Sequence, residues 1–320
     1  MNLAQKKFLK GFFLSFIFIF VFLTAILGFN LYLLPVFEVN GEPYSGSMSE
    51  ANAEKDLDPG NIEKGKEEIN SKSVLEPKLL EEEIYAKEAI CVKTDLAGNT
   101  EIIFEKNKDS RLPIASLTKL MTALVVFDNY SLSEEILLTE NILPNQPLPV
   151  DFKTGDSFIV EDLLRIMLIE SNNKAAYILS TYMGNEKFIS LMNKKTEEIG
   201  MSDTFFSDTT GLDEKNISTA KDLSVLTEYI LKEYPEIAQM TIIKNHESQR
   251  FREISNTNQL LPEFPETVLS KTGFTNEANG CLLMVLKNTE NSNYFINIVL
   301  GADDRFLEMK KIINKGKQQN

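Results

Sequence analysis

A lysine inside an otherwise apolar helix is the feature that most constrains this chain. Residues 113–127 read PIASLTKLMTALVVF, and apart from Lys119 and two threonines the run is apolar on nearly every side. A helix with this pattern is predicted to lie buried in a protein core. Burying an amino group is costly unless neighbouring groups compensate for it. The sequence therefore predicts a central helix around Lys119, with Ser116 at its start.

Ser116 and Lys119 are three residues apart, so on a helix they share a face. A serine hydroxyl becomes a nucleophile when a base removes its proton, and a lysine whose pKa is lowered by burial can be that base. The positive end of the helix also favours a developing oxyanion. The same Ser-x-x-Lys spacing occurs at Ser171 and Ser218. An exposed helical pair is the alternative interpretation of this spacing, and it is the one we expect at Ser218.

Composition excludes several classes of protein. The net charge of −14 and a pI near 4.8 argue against nucleic acid as a partner. The single histidine, His246, lies in a polar stretch and is predicted to be at the surface, which disfavours a multi-histidine metal site and a Ser-His-Asp triad. Cys91 and Cys281 are too few for a disulfide scaffold.

Residues 1–37 are predicted to form an N-terminal signal anchor, a transmembrane helix. Lys6, Lys7 and Lys10 precede the uncharged run Gly11–Phe37, which exceeds the roughly 20 apolar residues that span a bilayer. The basic flank should stay inside, with the rest of the chain exported, so the expected location is the cell membrane with an extracytoplasmic domain. A cleaved signal peptide is the alternative, but the run is long and no A-x-A site follows it.

The remainder divides into a linker and a folded domain. Residues 38–81 are charged and poor in aromatic residues, which predicts a disordered acidic linker. Over residues 82–320 the pattern indicates two strands, several helices, three strands and a closing helix. This order predicts an antiparallel sheet with a helical insertion, in which both ends of the domain meet in one sheet.

A second polar element lies between two predicted helices, in the string IESNNKAAYI. Ser171, Asn172 and Asn173 can simply cap the second helix. In the functional interpretation they form a Ser-x-Asn loop beside the nucleophile. Ser171 would then relay a proton to the leaving group, and Asn173 would hold Lys119 and a substrate amide.

A third element is Lys271-Thr272-Gly273 on a predicted strand. Gly273 lets a substrate backbone come close, and the lysine and threonine supply a charge and a hydroxyl for a carboxylate. A second Lys-Thr-Gly string stands at residues 153–155, before the Ser-x-Asn loop, and is interpreted as a turn.

The three motifs occur in the order found in penicillin-binding proteins and class A β-lactamases. From about Ile84 to Ile313 the chain resembles the low-molecular-mass serine-type D-alanyl-D-alanine carboxypeptidases, in strings such as PIASLTKLMTA, LLRIMLIESNNKAA and KTGFTNEANGCL. The resemblance implies an α+β fold of the β-lactamase/transpeptidase type, with a five-stranded antiparallel sheet flanked by helices and an all-helical insertion. It implies neither a metal nor an organic cofactor.

The resemblance also assigns roles. The matched positions are Ser116 as the acylated nucleophile, Lys119 as its general base, Ser171 and Asn173 as the second motif, and Lys271, Thr272 and Gly273 as the third. The oxyanion hole would consist of the backbone N–H groups of Ser116 and Phe274. The implied substrate is a peptidoglycan stem peptide ending in D-Ala-D-Ala, with β-lactams as covalent inhibitors.

The chain departs from the family pattern at a few positions. The second motif usually reads Ser-Gly-Asn-Asp, so Asn172 and Lys174 change the rim of the site. Thr210 stands where a histidine is common. In the string EANGC, Asn279 stands between the alanine and the glycine that usually follow each other directly. These differences bear on substrate preference.

The family's strand order bears on the two cysteines. It places the final strand between the strands of Cys91 and Cys281, which separates their Cα atoms by roughly 9–10 Å. A disulfide needs less than about 7 Å. Both are therefore expected to be free, buried thiols.

Three rival functions stay open at the level of sequence. A D,D-endopeptidase acting on peptidoglycan cross-links carries the same motifs. A β-lactamase of class A would carry E-x-x-L-N between the second and third motifs, and no such string is present between Asn173 and Lys271. A catalytically silent wall-binding protein is disfavoured by the intact Ser116 and Lys119.

Overall fold

The structure is a computed structural model that describes residues 83–142, 152–247, 252–291 and 293–318. The chain divides into two compact units, and every described residue belongs to the second, Val74–Asn320. The predicted anchor and linker, residues 1–37 and 38–81, lie outside the described residues. Among the described residues, no helix is both long enough and apolar enough to span a bilayer.

Eleven strands are found in the described ranges. In chain order they are β1 (Glu88–Thr94), β2 (Thr100–Lys106), β3 (Leu112–Pro113), β4 (Glu135–Leu137), β5 (Ser157–Ile159), β6 (Ile217–Ser218), β7 (Asn245–Glu247), β8 (Glu253–Ser255), β9 (Thr267–Thr275), β10 (Asn279–Lys287) and β11 (Tyr294–Ala302). Five of them form one antiparallel sheet in the order β2-β1-β11-β10-β9. The last strand lies beside the first, with Glu88 opposite Leu300. The predicted five-stranded sheet that joins both ends of the domain is confirmed.

Helices cover both faces of this sheet. They are α1 (Thr118–Asn129), α2 (Val160–Ile169), α3 (Asn173–Met183), α4 (Asn185–Ile199), α5 (Ala220–Glu233), α6 (Pro235–Thr241) and α7 (Arg305–Lys317). Met309, Ile312 and Ile313 of α7 pack on one face, together with Cys91 and Val299 of the sheet. The helical insertion between β2 and β9 builds the larger core on the opposite face.

The helix α1 is buried, as its apolar pattern predicts. Every residue from Thr118 to Val126 is buried, and Lys119 has no exposed surface. Ser116 lies just before this helix, in the 3-10 turn Ala115–Leu117. The tighter turn alters the helix start but leaves Ser116 and Lys119 on the same side.

Two sequence predictions about polar residues are wrong. Ser218 is not half of an exposed helical pair, because it lies fully buried on β6 with its hydroxyl 2.7 Å from that of Thr204. His246 lies on β7 with only 20% of its side chain exposed and with Asp162 3.9 Å away, so it is not a surface histidine. β6 pairs with β3 and β7 packs against α2, contacts that local polarity does not reveal.

The cysteines agree with the predicted strand order. Cys91 on β1 and Cys281 on β10 are free and buried, and β11 separates their strands. Burial raises the pKa of the Cys91 thiol to about 12 and that of Cys281 to about 11. Both thiols therefore act as small apolar groups in the core.

A buried carboxyl group joins the sheet to the helical insertion. Glu88 on β1 has no exposed surface, and its Oε1 accepts a hydrogen bond of 2.6 Å from the backbone N–H of Ala220, the first residue of α5. Its Oε2 has no hydrogen-bond partner among the described residues. Burial raises the pKa of Glu88 from 4.5 to about 8, and the charges of Asp109 and Asp222 act in the same direction.

This pKa predicts that stability falls as pH rises. The folded chain keeps a proton on Glu88 that the unfolded chain has released, so the free energy of unfolding decreases between pH 4.5 and 8. Glu88→Gln keeps an acceptor for Ala220 and removes the titration. We expect it to exceed the wild type in stability at pH 9, by on the order of a few kcal/mol, and to match it near pH 4.5.

Urea unfolding at the two pH values measures this difference. Glu236→Gln, at an exposed carboxyl group on α6, is the control and should leave the pH dependence unchanged. Parallel stability profiles for Glu88→Gln and the wild type would contradict the prediction.

Candidate active site

Three segments of the chain meet at Ser116. A Cβ atom added to Gly211 would stand 1.9 Å from the carbonyl oxygen of Ala115, and one added to Gly273 would stand 3.0 Å from the nitrogen of Ser116. Gly211 also has a φ of +85°. Glycine is therefore required at position 211, where the loop contacts the turn that carries Ser116, and Gly273 lets β9 come close to the same turn.

Lys119 is held beside Ser116 by two carbonyl oxygens. Its Nζ lies 2.9 Å from Ser116 Oγ, 2.7 Å from Asn173 Oδ1 and 2.6 Å from the backbone oxygen of Thr210. A neutral amine has two N–H groups and one lone pair. Because the two oxygens can only accept, they take the two N–H groups, and the lone pair is left for the Ser116 hydroxyl.

The surroundings of Lys119 favour this neutral form. Complete burial is the main cause that lowers its pKa well below 10.5, and the positive charge of Lys271 lowers it further. The carboxylate of Asp208 opposes these effects. That carboxylate is engaged with the backbone N–H groups of Thr210 and Gly211, which shapes the loop that contacts Lys119.

The Ser-x-Asn loop reaches both buried lysines. Ser171 Oγ accepts a hydrogen bond of 2.9 Å from Lys271 Nζ, while Asn173, the first residue of α3, accepts one from Lys119. The capping interpretation is also correct, because Asn172 Oδ1 accepts from the first backbone N–H groups of α3. Capping and contact with the lysines are thus divided among three adjacent residues.

The Lys-Thr-Gly motif lies on β9, the edge strand of the sheet. Lys271 is only 2% exposed, and burial, with help from the charge of Arg305, lowers its pKa to about 7. An edge strand leaves one row of backbone groups unpaired, and these are available to an extended ligand. Phe274 follows at the rim with 59% of its surface exposed.

Two residues at the site escaped the sequence analysis. Thr257, in the string NTNQLL, has its hydroxyl 2.5 Å from that of Thr272. Arg305 at the start of α7 lies with its guanidinium 3.5 Å from the carbonyl oxygen of Gly273, and its Nε–H has no hydrogen-bond partner in the part of the chain that the structure describes. The string NTNQLL also resembles the serine-type D-alanyl-D-alanine carboxypeptidases, and this resemblance is the one sequence feature that could have indicated Thr257. The position of Arg305 follows from the pairing of β9, β10 and β11, which brings the start of α7 close to Gly273.

The other Lys-Thr-Gly string is the predicted turn. Gly155 has a φ of +93°, and the N–H of Asp156 returns to the carbonyl oxygen of Lys153. The N–H of Gly155 donates to the carbonyl oxygen of Leu138, and within the described part of the chain no backbone hydrogen bond links this string to the segments around Ser116.

This contrast predicts the effects of two matched substitutions. Lys271→Ala should slow acylation by peptide and by penicillin about 10- to 100-fold, because a buried hydrogen-bonded cation is lost at the site. Removing its charge should also raise the pKa of Lys119 and move the pH profile of acylation upward. Lys153→Ala should leave the acylation rate within about twofold of the wild type. Stopped-flow labelling at several pH values measures both; equal rates for the two variants would contradict the assignment of the third motif.

The five-stranded sheet and the pairing of Ser116 with Lys119 are those of the penicillin-binding protein superfamily. Residues 72–304 match the peptidase S11 family, described as D-alanyl-D-alanine carboxypeptidase, and the chain belongs to this family.

Individual relatives agree with this placement. The chain is 28% identical over 230 residues to D-alanyl-D-alanine carboxypeptidase DacF of Bacillus subtilis, an alignment that covers 68% of this chain and 57% of the relative. It is 33% identical to a D-alanyl-D-alanine endopeptidase of Pseudomonas aeruginosa, over 64% of this chain and 69% of the relative. Penicillin-binding protein D2 of Listeria monocytogenes, solved in an ampicillin-bound form, is similar with a TM-score of 0.64 and 30% identity, over 73% of this chain and 99% of that chain. The chain thus spans less than two thirds of the length of the Bacillus relative.

Proposed function

We propose that this protein is a serine D-Ala-D-Ala carboxypeptidase that removes the terminal D-alanine from peptidoglycan stem peptides. The observation that carries the proposal is the pair formed by Ser116 and the fully buried Lys119, with Nζ 2.9 Å from Oγ. Membership of the peptidase S11 family and the carboxypeptidase name of the Bacillus relative support it.

In the first half of the reaction Ser116 becomes acylated. Lys119 Nζ takes the hydroxyl proton while Oγ attacks the carbonyl carbon of the penultimate D-alanine. The backbone N–H groups of Ser116 and Phe274 receive the negative charge that develops on the carbonyl oxygen. The C–N bond then breaks, and Ser171 relays a proton to the leaving amino group and is itself reprotonated at the expense of the proton that Lys119 took, so Lys119 is neutral again. D-alanine departs, and a water molecule activated by Lys119 hydrolyses the ester.

A cluster of cations would anchor the substrate carboxylate. Lys271 lies two residues before Gly273 on β9, the guanidinium of Arg305 lies 3.5 Å from the Gly273 carbonyl oxygen, and Thr272 adds a hydroxyl group. With a pKa of about 7, Lys271 is only partly charged in the free protein at neutral pH. A bound carboxylate favours the charged form and raises that pKa. Binding therefore draws a proton onto Lys271 in addition to forming the ion pair.

Release of D-alanine tests the proposal directly. The full-length chain should liberate one D-alanine from each stem pentapeptide, and a fluorescent penicillin should label it covalently and compete with the peptide. The ampicillin-bound neighbour supports the second expectation. Labelling without D-alanine release from any pentapeptide would reject the carboxypeptidase activity.

A D,D-endopeptidase is the second candidate, because relatives at 33% and 34% identity carry that name. The two activities share the acylation step and differ in the leaving group, which is free D-alanine in one and a cross-linked stem peptide in the other. Purified cross-linked dimers and monomeric pentapeptides, offered at equal concentration, separate them. Faster cleavage of the dimer would assign the endopeptidase.

The N-terminal segment would attach the enzyme to the outer face of the cell membrane. This rests on the basic residues before the uncharged run Gly11–Phe37. The full-length chain should fractionate with membranes, and external protease should release the domain from spheroplasts. Recovery of a processed chain in the soluble exported fraction would instead favour a cleaved signal peptide.

A further inference from the structure

One side chain joins the two helices that flank Ser171. Asn172 Nδ2 donates a hydrogen bond of 2.7 Å to Glu170 Oε1, at the end of α2. Its Oδ1 accepts bonds of 2.9 and 3.1 Å from the backbone N–H groups of Lys174 and Ala175, in the first turn of α3. Asn172 therefore ties the helices together across Ser171.

Ser171 needs such a tie because its backbone is strained. It has a φ of +63°, in the left-handed region that non-glycine residues rarely occupy. The conformation aims its hydroxyl at Lys271, while Asn173 on the other side of Asn172 contacts Lys119. The placement of both motif residues thus depends on the short loop that Asn172 spans.

Glu170 is itself held from outside the loop. Its Oε2 lies 2.7 Å from the guanidinium of Arg252, and its side chain is only 13% exposed. The neighbouring carbonyl oxygen of Ile169 accepts a hydrogen bond of 3.2 Å from the backbone N–H of Thr257, which also contacts Thr272. The acceptor for Asn172 is therefore paired with the residue just before β8, and the end of α2 is hydrogen-bonded to the loop that follows β8.

We propose that Asn172 is a positioning residue whose hydrogen bond to Glu170 sets the backbone of Ser171 and places its hydroxyl at Lys271. The inference rests on the proposed function, in which Ser171 passes a proton to the leaving group. Where glycine usually stands in this motif, the present chain carries a side chain that bridges the loop. Loss of the bridge frees Ser171 to leave the left-handed conformation, while the Ser116–Lys119 pair stays in place.

Acylation of the full-length chain by a fluorescent penicillin tests the bridge. Asn172→Ala and Glu170→Ala should each slow acylation about 10- to 100-fold, since a displacement near 1 Å can have an effect of this size. The double variant should be no slower than the slower single variant, because both remove the same hydrogen bond. Glu170→Gln retains an acceptor for Asn172 Nδ2 and should stay within about threefold of the wild type.

Two further variants separate the bridge from the helix cap. Asn172→Ser keeps an N-cap oxygen but cannot reach Glu170, so it should retain most of the melting temperature and acylate as slowly as Asn172→Ala. Thr219→Ala removes the corresponding cap of α5, where the Thr219 hydroxyl accepts from Asp222 N–H. It should lower the melting temperature and leave the acylation rate unchanged.

Several results would overturn the inference. They are a wild-type rate for Asn172→Ser, a Glu170→Gln variant as slow as Glu170→Ala, or a double variant whose loss equals the product of the single losses. A wild-type chain that penicillin does not acylate would reject the proposed function itself. The two failures are distinguishable, because in the first the wild-type chain is still acylated by penicillin.

Discussion

Ser116→Ala is expected to abolish covalent labelling by penicillin and all release of D-alanine. The substitution removes only a hydroxyl group from a 3-10 turn whose neighbouring contacts involve the backbone, so the fold should persist. Intact-mass spectrometry after exposure to penicillin measures the adduct, and circular dichroism checks the fold. The wild type should gain one acyl group and the variant none.

Ser218→Ala is the matched control, because Ser218 also begins a Ser-x-x-Lys string but lies buried on β6. Its labelling should be that of the wild type. Persistent labelling of Ser116→Ala would place the nucleophile elsewhere, with Ser171 the next candidate.

Lys119→Arg is expected to reduce acylation by about 10²- to 10⁴-fold, the range that general bases supply. A guanidinium group does not lose its proton in a protein, so it cannot accept one from Ser116. It also brings a permanent charge into a site with no exposed surface beside Lys271. In the wild type the acylation rate should rise with pH through the lowered pKa of Lys119, since only the neutral amine is a base.

Lys221→Arg serves as the control, at the exposed lysine of the Ser218 string. It should acylate at the wild-type rate with the same pH profile. If Lys119→Arg retained full activity, Lys119 would be a structural or electrostatic residue and another group would act as the base. A melting curve for each variant shows whether the larger guanidinium is accommodated.

The reactivity of Ser116 depends on groups that are distant in sequence. Lys119 is neutral because burial removes it from water, Lys271 repels a second charge, and carbonyl oxygens of Asn173 and Thr210 accept its N–H groups. The carboxylate of Asp208, which opposes this, is occupied by backbone N–H groups. The first effect of a substitution in any of these segments should therefore be a shift in the pH dependence of the acylation rate.

Local pattern was sufficient for much of this protein. The 3.6-residue period and the end signals of helices located the buried helix α1 and its serine–lysine pair, because helix geometry alone places residues three apart on one face. Alternating and continuous apolar runs located the strands of the sheet. The order of three short motifs then indicated the family, and with it the strand order that separates Cys91 from Cys281.

The tertiary structure decided what depends on contacts between distant segments. Ser218 and His246 lie in polar strings, yet the fold buries the first fully and the second in large part. Arg305 reaches Gly273 only because β9, β10 and β11 pair in register. Sequence periodicity reports which residues share a face, whereas burial, pKa and left-handed backbone are set by the neighbours that folding supplies.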